Sequence, residues 1–253
     1  MVTFTEAELI AWLSPLFWPF IRVLALFSAM PVVGQRSVPG RVRIALAFLI
    51  VVAAQASLPP MPQVALDSPL AFMLVLQNVL IGLTLGFAVR IVFAAVEFAG
   101  EIIGLQMGLN YAGFFDPTSG AQGTATARFF STTVGLLFIV INGHLLVVAA
   151  VVQSFRAFPV APEPFAFLRA LQPQVWGTEV FALGLWIALP LIGMLLFVNL
   201  VLGVISRVAS QMNVFAIGFP VTLGVGLLGM LLTLPMMQGP FTMALERMLT
   251  HFQ

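Results

Sequence analysis

Apolar positions fall in long runs separated by short polar or Pro/Gly breaks, a pattern that predicts helices covered by lipid or by other apolar protein. The first run covers residues 9–33 and contains Arg22, between Pro19 and Pro31. Residues 34–43 hold Arg36, Arg41 and Arg43 with Pro39-Gly40, a turn signal. A second run, 42–58, is short for a crossing that takes about 20 residues. It ends at Pro59-Pro60, and a polar linker leads to Ser68.

The third run starts near Pro69 and meets no proline before Pro117. As one helix to about residue 109 it would be roughly 60 Å long, about twice the hydrocarbon thickness of a bilayer. Such a helix either breaks or stands well clear of the membrane. Residues 110–123 are rich in Gly, Ser and Thr around Asp116-Pro117 and predict a loop. A fourth run (129–155) precedes a Pro-rich connector (159–173), and the fifth (180–205) and sixth (214–237) carry Pro190 and Pro220 inside them. A short amphipathic tail, 241–252, follows. No fixed-period repeat and no low-complexity segment is evident.

The expected fold class is therefore all-α: a polytopic membrane protein of long, kinked helical hairpins. Composition agrees, since 61% of the 253 residues are hydrophobic and 8% are charged. Nineteen charged side chains cannot coat a soluble protein of this size. The N-terminus has Glu6 and Glu8 and no basic n-region, so the first run is expected to stay in the mature protein.

All ten basic residues are Arg, and Cys is absent. That removes lysine-dependent phosphate loops, Schiff bases, thiolate nucleophiles and disulfides. Scattered arginines at a net charge of +1 give no nucleic-acid footprint. Two histidines, His144 and His251, make a histidine-rich metal site improbable; His144, in NGHL at 142–145, is expected to be a packing residue. No catalytic motif is present, so a non-enzyme without cofactor is expected. Under simple alternation Arg36, Arg41, Arg43, Arg128 and Arg207 fall on one side of the membrane. Arg156, Arg169 and Arg247 fall on the other, a weak positive-inside bias for an outside N-terminus.

Three features could carry function. Gly82 and Gly86, then Gly100, Gly104 and Gly108, recur at four-residue steps. Glycine in apolar helices is kept where backbones approach closely, either within the chain or against other subunits. Arg90, Glu97 and Glu101 share a helix face and suit interfacial or buried charge pairs, or a transporter's relay. Arg22 and Arg207 could each sit at a helix end and snorkel. The segment LQMGLNYAGFFDP (105–117) joins Met107, Leu109, Tyr111, Phe114 and Phe115 by glycines. An irregular apolar segment cannot face lipid, so it is enclosed by protein or forms a constriction in a pore.

The strings IGLQMGLNYAGFFDPTSG (103–120), NGHL and NLVLGVISRVASQMNVFAIGFPVTLGVG (199–226) resemble the FliR family, which includes the SctT proteins of virulence injectisomes. FWPFIRVLALFSAMPVVG (17–34) and VPGRVRIALAF (38–48) fit the same pattern, in collinear order along nearly the whole chain. GEIIGLQMGL (100–109), and no extra domain, favour the flagellar branch over the injectisome branch. The resemblance implies one export-gate domain over 1–253, with a central long hairpin at about 69–155 and a C-terminal hairpin at about 175–240. FliR-like proteins join FliP and FliQ in a helical gate, with FlhB wrapped around it and FlhA beneath. Unfolded flagellar proteins pass through its centre, in the inner membrane at the flagellar basal body. The family's plug loop corresponds to about 106–120, which makes Met107, Leu109, Tyr111, Phe114, Phe115 and Asp116 candidates for closing the pore. A small-molecule transporter built on Arg90, Glu97 and Glu101 is the alternative from the residues alone.

Overall fold

A computed structural model describes residues 6–65, 67–109, 124–208 and 214–253, with side chains described except at 6–9 and 214–216. Among the described residues the protein is all-helical. The helices are α1 (Glu6–Ala29), α2 (Gly40–Ala54), α3 (Pro69–Gln106), α4 (Ala125–Val140), α5 (Gly143–Ala157), α6 (Ala166–Leu171), α7 (Gly177–Val208), α8 (Val214–Thr233) and α9 (Gln238–Thr250). Short 3-10 turns occupy Gln55–Ser57, Pro173–Trp176 and Leu234–Met237. Five helical spans are long and apolar enough to cross a membrane, and the broken pair α4–α5 would make six.

Local chemistry explains the boundaries. The Ser68 hydroxyl accepts the Ala71 N–H at 3.1 Å, and Pro69 fills the first helical position, so α3 starts with a side-chain cap and a preset φ. It then runs unbroken for 38 residues, about 57 Å. Gly108, at φ 78°, ends it: the Leu109 N–H reaches the Gly104 carbonyl at 3.0 Å and the Gly108 N–H the Leu105 carbonyl at 3.1 Å. That is a Schellman closure with glycine at the left-handed position.

The fourth apolar run is not one helix. It breaks at Ile141–Asn142, where Asn142 adopts φ 57°, ψ 30° and opens α5. Asn-Gly favours such a conformation. Pro15, Pro19 and Pro190 lie inside continuous helices.

The chain forms two compact units, each drawing on distant stretches of sequence. Unit 1 holds residues 1–91, 142–176 and 245–253. Its interior contains Trp18, Leu26, Leu74, Ile81, Leu85, Phe155 and Phe252. Trp18 donates its indole N–H to the Pro62 carbonyl at 3.0 Å, which fixes the linker after α2. The Gln77 amide clamps the Pro-rich connector from both sides, donating to the Pro159 carbonyl at 3.1 Å and accepting from the Ala161 N–H at 3.0 Å.

Unit 2 holds residues 92–141 and 177–244. Phe93 stands edge-on to Phe138 (5.5 Å) and Phe241 (5.6 Å), and α7 packs along α8. An apolar cleft of about 320 Å³ opens beside Pro190, between Trp186, Phe130 and Met237.

Candidate functional site

Gly82 and Gly86 belong to unit 1, where they receive α1. A Cβ on Gly82 would lie 2.8 Å from the Ala25 Cβ and 3.0 Å from the Leu26 nitrogen. One on Gly86 would lie 2.6 Å from the Ala29 Cβ and 2.8 Å from the Leu26 carbonyl oxygen. Real Cβ atoms do not approach so closely, so α1 and α3 are in backbone contact only because these positions lack side chains.

In unit 2, a Cβ on Gly100 would lie 2.8 Å from the Ala127 Cα, and one on Gly104 would meet the Thr124 and Thr126 side chains. These four glycines are thus occupied from within the chain, and Gly108 serves as a helix terminator.

The same corner of unit 2 joins the two edges of the 110–123 segment. Glu101 accepts the Thr124 N–H at 3.0 Å, and the Thr124 hydroxyl accepts the Ala127 N–H at 3.1 Å, capping α4. A carboxylate at a helix N-terminus also meets the positive end of the helix dipole. Met107 is fully buried, and a Cβ on Gly226 would lie 2.6–2.7 Å from its Cγ, Sδ and Cε atoms. Leu109 is half-buried. Tyr111, Phe114, Phe115 and Asp116 lie outside the described residues.

Among the described residues the three charges make no contact with one another. Arg90 and Glu97 are exposed, without an ion pair among the described residues, and Glu101 is engaged at the α4 cap. Arg207 is exposed in the last turn of α7, the helix end where a cation is favoured. His144, expected to pack, is exposed on the first turn of α5. No group of three or more candidate metal ligands occurs among the described residues.

Arg22 differs most from its expectation. It is fully buried in unit 1 rather than at a helix end. Its Nε donates to the Asn78 Oδ1 at 3.0 Å, its Nη1 to the Ser154 carbonyl (2.9 Å) and hydroxyl (3.0 Å), and its Nη2 to the Phe158 carbonyl at 3.0 Å. The Cζ atom lies 3.7 Å from the Phe155 ring centroid. The acceptors at 154 and 158 are the final carbonyls of α5, the negative end of its dipole. A buried cation is therefore matched by a helix terminus and an aromatic face. Asn78, itself donating to the Leu74 carbonyl at 2.8 Å, is held ready as an acceptor. Sequence reading passed over Gln77, Asn78 and Ser154. Adjacent amides inside an apolar run were the available signal.

Other glycines were also passed over. Gly184 lies against Phe98 and the Ala95 carbonyl, and Gly229 against Met194 and Leu191. By contrast, Gly135, Gly193, Gly203 and Gly224 have no neighbour near their missing side chains.

Long apolar helices, a hydrogen-bonded buried arginine and backbone-close glycine contacts define a helical membrane protein. Residues 13–248 match the family described as bacterial export proteins, family 1. The chain is 43% identical over 241 residues to the flagellar biosynthetic protein FliR of Escherichia coli K12, covering 95% of this chain and 92% of that one. It is 41% identical over 236 residues to the FliR protein of Pectobacterium carotovorum (93% and 90% covered). With the FliR protein of Bacillus subtilis it shares 32% over 213 residues (81% and 80% covered). The chain belongs to the FliR family.

Proposed function

We propose that the chain is a non-enzymatic subunit of the flagellar protein-export gate. In this reading it sits in the inner membrane at the basal body and completes a pore with FliP- and FliQ-like proteins, beside FlhB and FlhA. Unfolded flagellar proteins are the cargo, and the whole chain acts as one gate subunit.

One observation carries the assembly reading. Helix α7 is about 48 Å long over 32 residues, and only 22% of its most apolar window is buried in the chain. A bilayer supplies roughly 30 Å of hydrocarbon, so apolar surface remains that lipid alone does not cover. The open Gly193, Gly203 and Gly224 on α7 and α8 suit close approach by helices of other subunits.

The segment at 106–120, from Met107 and Leu109 through Tyr111, Phe114, Phe115 and Asp116, is proposed to close the resting pore. The support is the apolar, glycine-jointed sequence of that segment and the Glu101–Thr124 and Met107–Gly226 contacts at its two edges.

Expressed in detergent with FliP- and FliQ-like partners, the chain is expected to purify in one large complex. A monodisperse monomer or dimer that leaves both partners behind would refute the gate reading.

A further inference from the structure

Helix α2 and the turn after it form an 18-residue apolar span, Gly40–Ser57, about 27 Å long and so close to the hydrocarbon thickness. Only 11% of that window is buried within the protein, and in α2 itself the buried residues are Ala47 and Val51. The remaining faces are open. Arg41, Ile44, Phe48 and Val52 follow one another at steps of three and four and are all exposed, so they line one stripe of the helix.

Three arginines gather at one end of this span. Arg41 and Arg43 stand in its first turn, where the helix dipole is positive and a cation is disfavoured, and Arg36 lies just before it. No acidic residue occurs between positions 34 and 66, and none of the three arginines forms an ion pair among the described residues. Arg43 uses its Nη2 on the Gln35 and Val38 carbonyls (2.6 and 3.1 Å), while its Nε is buried without a hydrogen-bond partner. Arg36 and Arg41 are exposed. Among the described residues the cluster has no counter-anion, and it stands at one end of a helix of membrane-spanning length.

We infer that this end of α2 binds an anionic phospholipid. The headgroup phosphate accepts from Arg36 and Arg41, and an acyl chain lies along Ile44, Phe48 and Val52. Charge complementarity selects anionic over zwitterionic lipid, and the apolar stripe below the arginines selects a lipid over free phosphate. The site is independent of the gate reading, since it needs only that the chain resides in a membrane.

The test uses the full chain in detergent, titrated with dioleoyl-phosphatidylglycerol or dioleoyl-phosphatidylcholine, with bound lipid counted by native mass spectrometry. Phosphatidylglycerol is expected to be retained at least fivefold more than phosphatidylcholine. R36Q/R41Q, and R41Q alone, should cut that preference severalfold; neither side chain makes a hydrogen bond within the described chain, so folding is spared. Inorganic phosphate in millimolar excess should not displace the lipid. Equal retention of the two lipids, unchanged preference in both variants, or displacement by phosphate would each overturn the site. In cell membranes a photo-crosslinker at Phe48 should capture phospholipid, and capture of a polypeptide instead would also overturn it.

Discussion

At the scale of single residues, Arg22 shows how a charge is kept inside an apolar unit without a carboxylate. Four hydrogen bonds spread over Asn78, Ser154 and Phe158 need the planar fork of a guanidinium. Arg22→Lys is expected to lower stability by about 2 kcal/mol, and Arg22→Leu, which strands the acceptors, by roughly 3 kcal/mol. Thermal unfolding in detergent should rank the wild type above Arg22→Lys and Arg22→Leu last. Equal melting of the wild type and Arg22→Leu would show that the network contributes nothing. The glycines give a second, paired prediction. Gly86→Ala forces a methyl against Ala29 and should cost roughly 1–3 kcal/mol. Gly203→Ala, with open space, should stabilise the isolated chain by about 0.5–1 kcal/mol. Gly203→Leu should then leave the chain folded but impair assembly with partners. If the two glycine sites respond alike in the isolated chain, the distinction between occupied and open positions fails. Spacing revealed Gly82 and Gly86 in the sequence, but spacing cannot say which neighbour fills the gap. For the same reason Arg22 was read as a snorkelling side chain: its partners lie 56 to 136 residues away.

At the scale of elements, α3 was the most legible feature. It lacks proline beyond its first residue, its four packing glycines are compensated by close contacts, and Gly108 supplies the stop. The fourth run was misread as continuous, because hydropathy outweighed the Asn142-Gly143 turn signal within it. Internal prolines were the opposite case. Pro190 lies within a continuous helix, as the unbroken run through it suggested, and lines a cleft there. The plug proposal belongs at this scale, because the closing element is bounded by the C-terminus of α3 and the cap of α4. Shortening 108–120 in an assembled gate is expected to make the membrane leak ions and small solutes. Unchanged conductance would exclude that segment as the closure.

At the scale of the whole molecule, composition announced an apolar exterior and the all-helical class, but not the division of the chain into two interleaved units. That division depends on contacts between segments such as α1 and α5, which no local window contains. The candidate site was legible only in part for the same reason: four of its loop residues lie outside the described chain, while the anchoring pairs Glu101–Thr124 and Met107–Gly226 join distant segments. The Arg22 network also sets a schedule for synthesis. Helix α1 emerges first and carries a guanidinium whose acceptors at Ser154 and Phe158 are made more than 130 residues later. Until α5 is complete, that charge must be held by water, by the interface or by the insertion machinery. The N-terminal helix therefore cannot settle into its final place when it is made, and its docking waits on the far end of unit 1.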